Sequence, residues 1–94
     1  MADMAYVEVR DYALWPKHIH GDDELKTNLL RLHEGQLIEL EVDGFCGVWK
    51  RMKQGKNPKP TEGLKAIGNA REHWHQLFRK RPGDLVPIIF RREL

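Results

Sequence analysis

The residue types that could support chemistry here are five histidines, one cysteine and two glutamates on a predicted strand. His73 and His75 fall on a predicted helix, where residues two apart point about 200° away from each other, so they cannot bind one metal ion together. The segment 18–23 holds two histidines and two aspartates, and imidazole and carboxylate groups are common zinc ligands. Whether the histidines bind a metal stays open on sequence grounds, and we assign no metal ligand.

The segment 18–23, His-Ile-His-Gly-Asp-Asp, resembles the start of the H-x-H-x-D-H run of metallo-β-lactamase-like hydrolases. It departs from that run at its last position, where Asp23 stands in place of histidine. Those hydrolases also need a much larger sandwich fold and further metal ligands, which a chain of 94 residues cannot hold. The resemblance therefore does not predict a hydrolase.

The remaining candidates do not have a spacing that suits nucleophilic or acid–base catalysis. The chain contains no serine, which excludes a Ser-His-Asp triad. Cys46 has no cation close enough to activate its thiol, since Lys50 lies four residues further along the same strand face. Glu39 and Glu41 project from one strand face about 7 Å apart and predict a solvated acidic surface. We predict no catalytic residue and no cofactor.

Length and composition bound the class of protein. A chain of 94 residues, 40% apolar and 32% charged, predicts one globular domain over residues 1–94. The single cysteine excludes an internal disulfide. No apolar stretch approaches the roughly 18 residues that cross a bilayer. These features predict a cytoplasmic protein with no membrane partner.

Apolar residues alternate in some segments and recur every three or four residues in others, which predicts strands and helices respectively. Asp43-Gly44 is a favoured two-residue turn, so the flanking strands should pair with Val42 opposite Phe45 and Ile38 opposite Trp49. The predicted order is a strand at 6–10, a helix at about 22–33, a hairpin at about 36–53, a helix at about 61–81 and a strand at 85–90. This order indicates an α+β fold with a small, mostly antiparallel sheet and a central hairpin.

Four further features of the fold are expected from individual residues. Thr61 is a good helix N-cap. Pro87 lacks a backbone N–H, which favours an edge or a bulge for the last strand. Phe45 should share the buried face of the hairpin. The matching periodicities of the hairpin and the second helix predict one core made of Ile38, Leu40, Val42, Trp49, Ile67, Trp74, Leu77 and Phe78.

Charge is distributed unevenly along the chain. Residues 1–43 carry ten acids and four bases, whereas residues 44–94 carry four acids and twelve bases. This separation predicts either a face that attracts anions or complementation of the two halves within a monomer or a dimer. Arg71, His75 and Arg79 repeat every four residues and form one helical stripe. The predicted nucleic-acid-binding residues are Lys50, Lys53, Lys56, Lys59, Arg79, Lys80 and Arg81.

Part of the chain resembles a known family. The stretch 32–44, Leu-His-Glu-Gly-Gln-Leu-Ile-Glu-Leu-Glu-Val-Asp-Gly, resembles the second half of AbrB/MazE-like swapped-hairpin domains, which read roughly L-x-x-G-D-x-V-x-I-x-V-x-x-G. The stretch 15–19, Trp-Pro-Lys-His-Ile, resembles the I-P-K-x-I element of that family. The resemblance covers at most residues 6–52. Gln36 stands where the family usually has aspartate.

The resemblance implies a dimer that exchanges hairpins and contacts DNA through basic residues of its first half. Many members of the family are antitoxins or transition-state regulators. Only Arg10 and Lys17 occupy the expected basic positions, and Pro16 belongs to the matched element. The second helix and the last strand have no counterpart in the short family domain.

Together these observations predict a small non-enzymatic binding protein, a homodimer, whose basic C-terminal half contacts nucleic acid. It would act as a DNA-binding regulator or an antitoxin-like protein. The alternative is a protein–protein interaction module or accessory subunit with no role in nucleic-acid binding. In that case Trp15, Trp49 or Trp74 would anchor the protein partner. The sequence leaves DNA, RNA and protein open as partners.

Overall fold

The computed structural model describes residues 4–11, 13–52 and 63–94. Within these ranges the chain forms six strands and two α-helices, which confirms the predicted α+β class. In chain order the elements are β1 (Ala5–Glu8), a 3-10 turn (Pro16–His18), β2 (Ile19–His20), α1 (Asp23–Leu30), β3 (Leu37–Val42), β4 (Phe45–Arg51), β5 (Leu64–Ile67), α2 (Asn69–Lys80) and β6 (Leu85–Glu93). None of the helices in these ranges has the length and apolar character needed to cross a membrane.

The six strands form one open antiparallel sheet in the order β2-β1-β6-β3-β4-β5. The last strand lies between β1 and β3, so the prediction of an edge position for it is wrong. The Pro87 carbonyl accepts a hydrogen bond from the Asp43 N–H at 2.9 Å, so the backbone of Pro87 faces the hairpin turn. The nitrogen of Pro87 points the same way, and the hydrogen bond that it cannot make is therefore lost at the end of the ladder rather than in its middle. The β3–β6 register does shift, but between Glu39 and Leu40.

The hairpin of β3 and β4 has the predicted register. Asp43 has a φ of 50° and Gly44 a φ of 80°, the two positive values that a two-residue turn of this kind requires. The two-residue period then places alternate residues on opposite faces of the sheet. The predicted cross-strand pairs are all observed: Val42 with Phe45, Leu40 with Gly47, and Ile38 with Trp49.

The first helix begins where the sequence indicates. The carboxylate of Asp22 accepts a hydrogen bond from the Leu25 N–H at 3.1 Å, as an N-cap does. The helix ends at Leu30, three residues before the predicted end. Leu25 and Leu29 are buried against the sheet, so one face of α1 belongs to the core.

The second helix is shorter than predicted, because the prediction of a helix over 61–81 merges a strand with a helix. Residues 64–67 form β5, and the helix proper spans Asn69–Lys80. Gly68 separates the two with a φ of 62°, which ends the strand and allows the chain to turn into the helix. The N-cap position is Gly68. The predicted cap, Thr61, lies outside the described residues.

The core lies between the sheet and the two helices, which pack on the same face. Both tryptophans near its centre are 1% exposed, and their rings meet edge to face at 5.4 Å and 87°. Of the predicted core, six residues are buried: Ile38, Leu40, Val42, Trp49, Trp74 and Leu77.

Three residues predicted to be buried are not. Ile67 is 41% exposed because it lies on a strand and points away from the helices. Phe78 is 37% exposed in the last turn of α2, where it lines a surface cavity with residues 8–11. Phe45 is 36% exposed at the hairpin turn, where its ring stacks on His73 at 4.6 Å. Strand assignment and position at the edge of the core explain these differences.

Candidate nucleic-acid interface

The predicted nucleic-acid-binding residues do not form one surface. Lys53, Lys56 and Lys59 lie outside the described residues. Lys50 is exposed on β4, opposite Leu37 at the start of β3. The basic residues 79–81 lie at the end of α2, near the hairpin turn at the other end of β3. The six residues of β3 separate these two groups by about 20 Å.

Three ion pairs connect the acidic first half of the chain to the basic second half. Arg81 lies 3.6 Å from Asp43 and 3.1 Å from Asp84. Among the described residues, the ion pairs between the two halves are Arg81 with Asp43 at 3.6 Å, Arg91 with Glu41 at 3.0 Å and Arg92 with Glu39 at 3.4 Å. The charge separation seen in the sequence is thus partly neutralised within one molecule, and the arginine at the end of α2 is already paired.

The cations of the β4–β5 edge are arranged differently. Lys50 and Lys65 lie directly opposite each other on neighbouring strands and on the same face of the sheet. Like charges in this arrangement repel each other. Within the described ranges, no carboxylate forms an ion pair with either ammonium group. Binding of an anion would relieve this repulsion.

A cavity of about 140 Å³ lies beside Lys65, between β5 and α2. Three basic side chains line it, from Lys65, Arg71 and His75, and the Trp74 ring and Ala66 complete the described lining. The described lining contains no carboxylate. We call Lys50, Lys65, Arg71 and His75 the cationic edge.

The cationic edge combines predicted and missed residues. The helical stripe at Arg71 and His75 was predicted from its four-residue spacing, and both residues reach the cavity. Arg79, the third member of that stripe, lies two turns further along, about 12 Å from Arg71. Lys65 was missed because its segment was assigned to the helix. In the sequence, charged Lys65 stands between apolar Leu64 and Ala66, and this alternation is the signal that could have placed Lys65 on a strand.

Two histidines of the first half, His18 and His20, lie beside the carboxylate of Glu8. Glu8 accepts a hydrogen bond from Arg10 Nε at 3.0 Å, and its oxygens lie 3.2 Å from His20 Nε2 and 3.6 Å from His18 Nδ1. Two hydrogen bonds lower the pKa of Glu8, and the one from Arg10 has a larger effect than the one from His20. Burial lowers the pKa of His18. In the part of the chain that the structure describes, no three metal-ligating side chains form a group that could hold an ion.

Cys46 lies exposed on β4, on the face opposite the helices, as its position in the hairpin predicts. Its Sγ is 3.9 Å from Glu41 Oε1. That carboxylate already accepts a hydrogen bond from Arg91 at 3.0 Å. An acid, Glu41, and a cation, Arg91, therefore both lie beside the thiol.

Stability is expected to fall as the pH is lowered through about 6.5, in part because of His73. Burial lowers the pKa of His73, and nearby Asp43 only partly opposes that effect. The pKa of His73 is lower in the folded protein than in the unfolded chain, so the unfolded chain binds the proton first as the pH falls. Acidification therefore favours the unfolded chain and lowers the free energy of unfolding. Replacing His73 with phenylalanine keeps the stack on Phe45 and removes the titrating group. Urea unfolding at pH 7.5 and 5.5 should therefore show a smaller loss of stability in this variant.

The control for that experiment is His33→Phe, which removes an exposed histidine outside the core. It measures what the same substitution does to unfolding at the two pH values when position 73 is left intact. An equal loss of stability on acidification in the wild type and in His73→Phe would contradict the assignment.

No protein family, no curated protein and no solved structure matches this chain. The resemblance of residues 6–52 to AbrB/MazE-like domains therefore stays a prediction. The function is argued below from the geometry of the site.

Proposed function

We propose that this protein is a non-enzymatic binding domain that contacts the phosphate backbone of nucleic acid through its cationic edge. The observation that carries the proposal is the cavity between β5 and α2, where Lys65, Arg71 and His75 converge without a carboxylate among the described lining residues. Lys50 lies opposite Lys65 on β4, on the face of the sheet away from α2. The proposal keeps the basic C-terminal half as the binding region and moves its centre away from residues 79–81.

The mechanism is neutralisation of phosphates by lysine and arginine, with release of the counterions condensed on the nucleic acid. Arg71 offers the fork of N–H donors that suits a phosphate, and Lys65 adds a compact charge beside it. Trp74 forms a wall of the cavity but is 1% exposed, so its ring is not free for a base to stack on. Contacts of this type position a nucleic acid without reading its sequence. We therefore expect similar affinity for unrelated duplex sequences.

The test is the salt dependence of binding to a random-sequence duplex DNA. Each phosphate contact contributes about 0.9 to the slope of log K against log [salt]. Replacing Lys65 and Arg71 together with glutamine should lower the magnitude of that slope by about 1.8 and weaken binding to all sequences alike. Fluorescence anisotropy at several salt concentrations measures both effects.

The matched control removes one lysine and one arginine from α1 and its C-cap, Lys26→Gln and Arg31→Gln. That helix packs beside β2, at the opposite edge of the sheet from β5. The control has the same net charge as the test variant and should retain nearly all of the wild-type slope. Equal slopes in the two variants would place the interface elsewhere. Failure of the folded wild type to bind DNA or RNA at low salt would end the proposal.

A further inference from the structure

One face of the sheet carries no helix within the described residues. Both helices contribute to the core on the other face, where alternate residues of every long strand are buried. On the uncovered face, which we call the open face, four large aliphatic residues are between 38% and 48% exposed: Leu37, Ile67, Leu85 and Ile89. They lie on β3, β5 and β6, so a partner that covered the open face would bury all four.

Charged residues cross the middle of the open face in two adjacent rows. Glu39 and Glu41 form an acidic row on β3, and Arg91 and Arg92 lie beside them on β6. The distances between the paired atoms are 3.0 Å and 3.4 Å. Each guanidinium has five N–H donors, so one carboxylate does not saturate it. The rows can therefore accept a second set of opposite charges from above.

We propose that a second copy of this chain covers the open face, with a two-fold axis parallel to the strands and passing between β3 and β6. This axis places the acidic row of each copy over the arginine row of the other. An interface of this kind is isologous, because the same patch is used by both copies. Two sheets then pack face to face, about 10 Å apart, as in a sandwich.

The dimensions of the molecule suit this arrangement. Its two larger extents are 34 Å and 32 Å, and its smallest is 24 Å. A standard interface takes about 800 Å² from each partner, which a face of this size can supply. The axis places the two β5 strands at opposite outer sides of the dimer, since β5 is the last strand of the sheet. Arg71 and His75 belong to α2 on the other side of the sheet, whereas Lys50 and Lys65 lie on the open face itself. The observations on the open face are independent of nucleic-acid binding.

The decisive experiment exchanges the charges of the two rows. One variant carries Glu39→Arg and Glu41→Arg, so that both rows are positive, and the other carries Arg91→Glu and Arg92→Glu, so that both are negative. The wild type should be dimeric in sedimentation equilibrium. Each variant alone should self-associate at least tenfold more weakly. An equimolar mixture should restore a dimer, because each positive row now meets a negative one.

The single cysteine supplies an independent measurement. Cys46 is exposed on the open face in one molecule, and the dimer would cover it. Alkylation of Cys46 by iodoacetamide should therefore slow at least tenfold as the protein concentration rises through the dissociation constant. Ile89→Lys should be monomeric and react at the same rate at every concentration. Leu30→Lys, a change at an equally exposed leucine on α1, should behave as the wild type.

Three results would overturn the proposal. The first is a wild type that stays monomeric at millimolar concentration. The second is a dimer in which Cys46 reacts at the rate of the monomer, which would place the interface on another surface. The third is a folded pair of charge variants that do not associate when mixed. Circular dichroism of each variant establishes that it is folded before it is used.

Discussion

Replacing Trp74 with alanine is expected to lower the free energy of unfolding by about 3–5 kcal/mol, most of the stability of a small domain. The side chain is 1% exposed and packs edge to face on Trp49. Its indole N–H also donates to the carbonyl oxygens of Arg10 and Asp11, at 3.0 Å and 2.9 Å. The truncation thus leaves a cavity and removes the bonds that attach the segment after β1 to α2. Urea unfolding followed by tryptophan fluorescence and circular dichroism measures the change.

Two companion variants separate these effects. Phe78→Ala removes an aromatic ring from the same helix, but this ring is 37% exposed and should cost much less. Trp74→Phe keeps most of the packing and loses the N–H donor, which should cost about 1–3 kcal/mol for carbonyl groups left unpaired. A folded Trp74→Ala protein with unchanged stability would contradict the position of this residue at the centre of the core.

Replacing Gly47 with alanine is expected to destabilise the protein by about 1–3 kcal/mol, although the change adds only a methyl group. A Cβ atom at this position would lie 2.5 Å from the Cβ of Ala70, in the first turn of α2. Ala70 is 2% exposed and cannot move without moving the helix. The absence of a side chain on Gly47 is what allows α2 to approach β4 this closely.

A double-mutant cycle tests this explanation directly. Ala70→Gly alone should cost about 1 kcal/mol through helix propensity, with a further contribution from the lost buried methyl. In combination with Gly47→Ala, it provides the space that the new methyl needs, so the two changes should cost less together than the sum of their separate costs. We expect a favourable coupling of about 1–2 kcal/mol. Strict additivity would show that the two residues do not collide.

The parts of the fold that could be predicted are those encoded by local pattern. Alternation in β3 and the two-residue turn at Asp43-Gly44 fix the hairpin register, because such a turn leaves only one way to pair the strands. The N-cap at Asp22 is likewise a property of a few neighbouring residues. Burial of Trp49 and Trp74 follows from the periods of their own elements.

The parts that could not be predicted depend on partners distant in sequence. Leu64, Ile67 and Ala70 lie on one apolar series that fits a helix, and only pairing with β4 makes residues 64–67 a strand. Pro87 is tolerated in the interior of the sheet because its nitrogen faces the Asp43-Gly44 turn, and the sequence around Pro87 does not reveal that turn as its neighbour.

The candidate site shows the same division. The stripe at Arg71 and His75 was readable from helical spacing, and the structure places both residues at one cavity. Arg81 was chosen for its charge alone, and the structure pairs it with Asp43 and Asp84. Charge counted along a sequence does not tell a paired cation from one that remains available, since the pairing is made in three dimensions.

The position of β6 also bears on how the molecule folds. β1 and β2 form one pair of strands, and β3, β4 and β5 form a three-stranded unit. Among the described strands, β6 joins the two in the sheet, and Leu14 adds a single bridge to Leu64. Ala5 lies opposite Ile88, so this closure requires contacts across most of the sequence, which slows folding. During synthesis, the facing edges of β1 and β3 stay unpaired until residues 85–93 have left the ribosome. Unpaired edges of that kind favour aggregation, so the nascent chain is vulnerable until β6 has been released and has paired with both edges.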